Sequence, residues 1–332
     1  MSSAYQQAGV DIGAKMAIID RIKVAAASTY NASVLGGVGG FGGLFQLSAD
    51  SILVASTDGI GTKTMLAAQY GKYRGLGHDI VNHCVNDILC QGARPLFFLD
   101  YVAASRLDSQ IVAEIVEGMA EACRAVGCVL LGGETAEMPG VYQTEQFDLV
   151  GTIIGLVNPT DRLPKTTIIP GDVLLGLESS GPHTNGYSLL RHVFAQWTAV
   201  DQIPSPITDM ALAAHRCYYD AVQVLRTVGE IKALAHITGG GFFDNIPRVL
   251  PSQIGATIRR GSWPVPPLFS EIASRGSVAD SEMYRVFNMG IGLVLAVSPQ
   301  TADRMQQFSD GRLIGTVHRI GEITSTTGIT LT

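Results

Sequence analysis

Apolar positions recur at helical spacing in some stretches of the chain and in short unbroken runs in others. Residues 14–30 place Ile18, Ile19, Ile22 and Ala26 on one face, which predicts a helix. Ile52–Ser56 is a short apolar run that ends at Thr57-Asp58-Gly59, the pattern of a strand entering a turn. His78–Gln91 is helical, with Val81, Cys84, Val85 and Ile88 on its apolar face and Asp79, His83, Asn86 and Asp87 on the other. Leu96–Val102 predicts a strand, 108–126 a long helix opened by Asp108, and Cys128–Leu131 and Phe147–Val157 further strands. Asn158–Asp172 holds Pro159, Pro164 and Pro170 and little apolar material, so it divides the chain into domains at 1–160 and 170–332. Beyond it, Val173–Leu177 predicts a strand, 185–195 a helix with Asn185 as its cap, and 210–228 a helix. A strand and glycine turn at 235–241, a short helix at 242–250, a strand at 292–297 and a helix at 300–309 follow. Strands and helices mix without strict alternation, which favours an α+β fold in both halves.

Composition narrows the class. The chain has 332 residues, 46% of them apolar and 16% charged, enough for two packed cores and too apolar for disorder. Its apolar runs fall far short of the roughly 20 residues of a membrane span. A formal net charge of −6 excludes nucleic-acid binding through a general basic field. The five cysteines show no zinc-ligand spacing and read as reduced thiols. With the polar stretch Met1–Gln7, which lacks an apolar signal core, they set the expectation of a cytoplasmic protein.

Glycine is in excess, 38 residues, and it is clustered. Six of the eight residues from Gly36 to Gly43 are glycine. The string Gly37-x-Gly39-x-x-Gly42 lies between a helix and a strand, the wrong setting for a dinucleotide fold. It leaves two readings, a mobile loop or a lid whose amides at Gly39, Gly40, Gly42 and Gly43 approach phosphate oxygens. In Thr57-Asp58-Gly59-Ile60-Gly61-Thr62-Lys63 the carboxylate suits Mg²⁺, while Thr57, Thr62, Lys63 and the amides of Gly59 and Gly61 suit a phosphate. Asp87 and Glu134, each flanked by apolar residues or glycine, complete with Asp58 an expected three-acid metal site. His183, in a turn before a helix, is a candidate for proton exchange near neutrality, and Gly239, Gly240 and Gly241 at the next helix start are candidates for an anion cradle. Neither a P-loop nor a GxSxG elbow occurs. The residues by themselves thus lead to a metal-dependent enzyme acting on an ATP-type nucleotide, with its second substrate open.

Eight ordered segments resemble the phosphoribosylformylglycinamidine cyclo-ligase (AIR synthetase) family. They are AGVDI (8–12), LGGVGGFGGLF (35–45), STDGIGTK (56–63), VNDILCQGARPLFFLDY (85–101), GGETAEMPGVY (132–142), SSGPHTNGYSLLR (179–191), HITGGGFFDNIPRVLP (236–251) and FNMGIGLVL (287–295). The resemblance implies a homodimer whose N-terminal strands close a barrel-like interface, with a C-terminal α+β domain completing each active site. It implies ATP-dependent cyclisation of formylglycinamidine ribonucleotide to aminoimidazole ribonucleotide, with Mg²⁺ and often K⁺. By the same resemblance Asp58, Asp87 and Glu134 handle metal and phosphate, while Lys63 and the glycine loop contact the triphosphate. Lys23 lies near the site, His183 moves a proton, Asn185 touches substrate and Gly239–Gly241 receives the ribose phosphate. An ATP-dependent kinase or synthetase of the same superfamily is the alternative. The chain departs from the pattern at Leu212-Ala213-Ala214-His215-Arg216-Cys217-Tyr218, where members usually carry Leu-x-Pro-Thr before a Tyr. It departs also in the short 196–210 connection and at Thr29-Tyr30, where Thr-Arg is common.

Overall fold

A computed structural model describes residues 4, 8, 12–163, 165–195, 203–308 and 314–332. The polar N-terminal stretch, most of segment 8–12, Pro164 and part of the 196–210 connection lie outside the described residues. In the first half, helix α1 (Ile12–Ala27) precedes strands β1 (Val34–Gly36), β2 (Gly43–Ser48) and β3 (Ser51–Gly59). Helices α2 (Lys63–Gln69) and α3 (Arg74–Leu89), strand β4 (Arg94–Ala104), helix α4 (Ser109–Ala125) and strands β5 (Val129–Glu137) and β6 (Phe147–Val157) follow. Their sheet runs β1-β2-β3-β6-β4-β5, and within it β4 and β5 are parallel, joined by α4. Asp108 caps α4 as the sequence predicts, its carboxylate accepting from the amides of Gln110 and Ile111 at 2.9 and 3.2 Å.

The two faces of this sheet differ. Ile52, Val54, Leu149 and Ile153 alternate with exposed or half-buried residues and point at α3 and α4. On the opposite face Phe45, Leu47, Leu99, Val129 and Leu131 are all exposed. Helices α3 and α4 cross in backbone contact, because a Cβ at Gly77 would lie 2.1 Å from the Ile115 carbonyl, and one at Gly118 would lie 2.1 Å from that of Arg74.

The second half contains β7 (Val173–Glu178), α5 (Tyr187–Phe194), α6 (Ser205–Leu212), α7 (Tyr219–Val228), β8 (Ala233–His236) and α8 (Gly241–Asn245). It continues through β9 (Gly255–Ile258), α9 (Pro267–Arg275), α10 (Asp280–Val286), β10 (Ile291–Val297), α11 (Pro299–Gln307), β11 (Val317–Thr324) and β12 (Gly328–Leu331). Their sheet runs β12-β9-β11-β7-β10-β8, antiparallel except between β12 and β9. Each half thus builds its own mixed sheet, an α+β arrangement.

Three local expectations are corrected. The helix expected over 210–228 breaks between Leu212 and Tyr219. There the polar stripe of α3 captures the chain: Asp79 accepts from the His215 amide (2.7 Å), Asn82 donates to the His215 carbonyl (2.7 Å), and Asn86 bonds both the Arg216 carbonyl (2.8 Å) and the Tyr218 amide (2.9 Å). Those side chains satisfy the backbone in place of a helical ladder. Helix α5 is capped by Gly186 at φ 80°, not by Asn185. The helix expected over 242–250 is α8 followed by a 3₁₀ turn at Ile246–Val249, where Pro247 withholds an amide hydrogen.

Candidate active site

Strand β3 and helix α3 bring Asp58 and Asp87 to one imidazole. His83 Nε2 lies 2.9 Å from Asp58 Oδ2 and 3.8 Å from Asp87 Oδ2. His83 is four residues before Asp87, so both project from one face of α3. The Asp87 carboxylate also accepts from Ser56 Oγ at 3.0 Å and meets His236 Nδ1 at 2.8 Å. His83 Nδ1 bonds Thr184 Oγ1 at 2.7 Å, which ties the site to the loop before α5. Burial by itself would depress the His83 pKa, but the facing carboxylates of Asp58 and Asp87 outweigh it and raise it to about 9. Burial likewise works to raise the Asp58 pKa, and the charge and hydrogen bond of His83 overcome it and lower it to about 2.

The glycine loop lies beside this centre. Phe41 is buried beneath the Arg248 guanidinium, 5.1 Å from the ring centre. A Cβ at Gly39 would lie 3.7 Å from Lys23 Cε, and one at Gly40 would lie 3.6 Å from Gln91 Nε2. Lys23 and Arg248 therefore put two cations next to the loop. Gly43 begins β2, while Thr57 turns to the outer sheet face and bonds Thr152 (Oγ1···Oγ1 2.8 Å). Gly59 donates its amide to Asp58 Oδ1 at 2.7 Å, Gly61 takes φ 62°, and Thr62 meets Ser188 Oγ at 3.3 Å. Asn185 Oδ1 would be 3.0 Å from a Cβ at Gly239, so the two expected substrate residues are adjacent.

Several expected roles meet a different geometry. Lys63 does not face the loop: its ammonium is 1% exposed and bonds Asp79 (2.9 Å), the His183 carbonyl (3.0 Å) and the Ala213 carbonyl (2.7 Å), using all three donors. Glu134 does not join the other two acids within one chain. Its row pairs with Tyr101 on β4, Val150 on β6 and Gly59 on β3, three strand spacings or roughly 14 Å away. Alternation then puts its side chain on the opposite face from that of Asp58. Gly240 and Gly241 have φ 95° and 57°, but Asp244 crowds Gly240, so an acid stands beside the expected anion cradle. His183 is 1% exposed at φ 61°, and burial, with the charges of neighbouring His236 and Lys63, pushes its pKa far below the usual range.

Sequence reading missed His215 and His236. His215 stacks on His183 with centroids 3.9 Å apart, and its Nε2 meets His236 Nε2 at 2.9 Å. The only sequence signals were the departure at 215 and the histidine opening HITGGG.

Two family models match this chain: the AIR synthase related protein N-terminal domain over 39–157 and C-terminal domain over 170–332. The phosphoribosylformylglycinamidine cyclo-ligase of Geobacillus thermodenitrificans is 45% identical, over 100% of this chain and 99% of that protein. The chloroplastic/mitochondrial enzyme of that name from Vigna unguiculata is 46% identical, over 98% of this chain and 82% of that protein. Among solved structures, AaThiL complexed with AMPPCP and TMP aligns with TM-score 0.64 at 14% identity, covering 95% of this chain and 92% of that one. The hydrogenase maturation protein HypE of E. coli aligns with TM-score 0.63 at 20% identity, covering 84% and 82%. These two share the fold. Near-complete coverage at 45% identity decides the family: the chain belongs to the phosphoribosylformylglycinamidine cyclo-ligases.

Proposed function

We propose that this chain converts formylglycinamidine ribonucleotide and ATP to 5-aminoimidazole ribonucleotide, ADP and phosphate. The carrying observation is the convergence of Asp58 and Asp87 beside a glycine loop flanked by Lys23 and Arg248. An amide oxygen is a poor leaving group. Transfer of the γ-phosphoryl group to the formyl oxygen gives an iminophosphate, and the amidine nitrogen then attacks the former carbonyl carbon. The new C–N bond closes the ring, the C–O bond breaks, and the oxygen departs with phosphate. What the protein supplies is position and fixed charge, worth roughly 7–11 kcal/mol where reactants are well aligned.

In this reading the loop amides of Gly39, Gly40, Gly42 and Gly43, with Lys23 and Arg248, hold the triphosphate. Asp58 and Asp87 fit Mg²⁺: both are hard oxygen donors, and Asp58, 44% exposed, can be reached by a hydrated ion. When bound, Mg²⁺ supplies neutralisation of phosphate charge. Glu134 is left out of this set for the geometric reason above. Thr57, pointing to the other face, and Lys63, sealed in its ion pair, are left out of the phosphate contacts. K⁺ enters on the resemblance alone, with no residue assigned. His83, whose pKa the carboxylates of Asp58 and Asp87 raise, takes the place of His183 as the group that gives a proton in this reading. Asn185 and Gly239 take the ribonucleotide.

The proposal includes a homodimer and a cytoplasmic setting. The exposed outer face carrying Phe45, Leu47, Leu99, Val129 and Leu131 supports the first, because such patches mark association surfaces. Among the described residues no helix is long and apolar enough to cross a membrane. The test is phosphate release by purified protein with ATP and Mg²⁺. Release that requires formylglycinamidine ribonucleotide and yields the aminoimidazole supports the reading. Equal release without that substrate, or with a different phosphoryl acceptor only, overturns it.

A further inference from the structure

We propose that His183, His215 and His236 form a site for a borderline divalent metal ion of the Zn²⁺ class, buried beside Asp87. One ring nitrogen from each lies within 4.8 Å of the other two. None of the three residues is more than 1% exposed. Zn–N bonds of about 2.0–2.1 Å in a tetrahedral site place neighbouring nitrogens about 3.4 Å apart. The His215–His236 separation of 2.9 Å has to open by about 0.5 Å, and the His183–His215 stack at 3.9 Å has to part, because two imidazoles on one tetrahedral ion have ring centres about 5 Å apart.

Hydrogen bonding selects this trio from the four histidines present. His83 has both nitrogens engaged, with Thr184 at 2.7 Å and Asp58 at 2.9 Å. In contrast, Nδ1 of His183 and Nδ1 of His215 are buried without a partner. A buried polar atom left unpaired is costly, and Nδ1 of His183, whose Nε2 accepts from the Ser180 amide at 3.3 Å, is lone-pair capacity that nothing among the described residues uses, while His215 ligates through the Nε2 that now meets His236. His236 engages Asp87 through Nδ1 at 2.8 Å, and its Nε2 faces the other two rings. A carboxylate on the far nitrogen of a ligating imidazole fixes the ring and its tautomer, the usual support for a metal-bound histidine.

Donor chemistry decides the ion. Three neutral imidazoles suit Zn²⁺, Co²⁺ or Ni²⁺, whereas Mg²⁺ prefers the oxygens of Asp58 and Asp87. The two ions would therefore occupy neighbouring sites that share Asp87, as a ligand to one and as the orienting partner of His236 for the other. His215 stands at the departure from Leu-x-Pro-Thr, so the third imidazole belongs to this chain's own pattern.

The test is a titration of chelator-treated full-length protein with Co²⁺ alone, followed by visible absorption and metal analysis. The expected result is one Co²⁺ per chain with the intense spectrum of a four- or five-coordinate nitrogen site, displaced by Zn²⁺ and resistant to excess Mg²⁺. His215→Ala abolishes the band while the circular dichroism stays native. Should that variant not fold, Asp87→Asn serves, weakening Co²⁺ binding about 10- to 100-fold. Absence of stoichiometric binding, displacement by Mg²⁺, or a band that survives in His215→Ala or is unchanged in Asp87→Asn overturns the proposal. Turnover has no part in this readout, so failure of the proposed ligase activity and failure of the metal site are separate results.

Discussion

Lys63 and Asp79 form an ion pair of 2.8 Å that is almost completely withdrawn from solvent, at 1% and 0% exposure. The pair reaches across the molecule, because Lys63 also bonds the carbonyls of His183 and Ala213 and Asp79 accepts from the His215 amide. Removing one partner strands a buried charge. Lys63→Met is expected to cost about 3–5 kcal/mol of stability. The double variant Lys63→Met/Asp79→Leu should recover part of that loss in denaturant unfolding. A single variant within about 0.5 kcal/mol of wild type would show that the pair contributes little.

Asp58 and Asp87 hold the cation in the proposed mechanism, and neither carries an apolar packing role. Asp58→Asn and Asp87→Asn should each lower turnover by at least about 10²–10³-fold, the scale of losing a preorganised electrostatic contact. Thermal unfolding should also fall in Asp58→Asn, because the variant removes a carboxylate that pairs with the buried His83 at 2.9 Å, so rates are compared at a temperature where the variant is folded. Steady-state rates with saturating ATP measure the first effect, and near-normal turnover in either variant would count against the cation assignment.

His83 makes stability depend on alkaline pH. Its pKa is raised to about 9 by Asp58 and Asp87 against the opposing effect of burial. A group that binds its proton more tightly when folded stabilises fully below its unfolded pKa of about 6.5, and the contribution disappears as pH climbs through the folded value. The stability difference between wild type and His83→Gln, measured with chelator present, should thus shrink from about pH 6.5 to about pH 9.5. A gap that stays constant over that window would show that His83 is not held as an imidazolium.

Leu131 is 62% exposed on the outer sheet face. A glutamate there would place charge on the β5 side of the proposed contact between copies. Leu131→Glu is expected to convert a dimer to a monomer in sedimentation experiments without loss of secondary structure, since the side chain is mostly open to solvent in its own half. A wild-type monomer at working concentration would refute the contact.

Elements with an uninterrupted pattern were readable from the residues alone. The apolar stripe of α3, the Asp108 cap and the alternation of β6 each state their own geometry. Asp58 and Asp87 stand out because an acid among glycine and apolar neighbours is locally out of place, and the structure brings both to His83. The burial of Lys63 is not legible because its sequence setting, after a glycine turn, is that of a phosphate lysine, and the partners it has in the structure are 16, 120 and 150 positions away. The separation of Glu134 from Asp58 within one chain is not legible in the sequence because strand order, and with it the face a side chain takes, depends on which strands pair. The break at 213–218 was hidden for the same reason: alanine-rich sequence favours a helix, and only the polar stripe of α3 overrides it.

That stripe has a consequence for dissection of the molecule. Asp79, Asn82 and Asn86 each hydrogen-bond main chain contributed by 213–218. A cut through the proline-rich connector would therefore release two fragments with raw, wettable surfaces where each had been finished by the other. Neither piece would be a free-standing module, and mixing the two should restore one noncovalent whole.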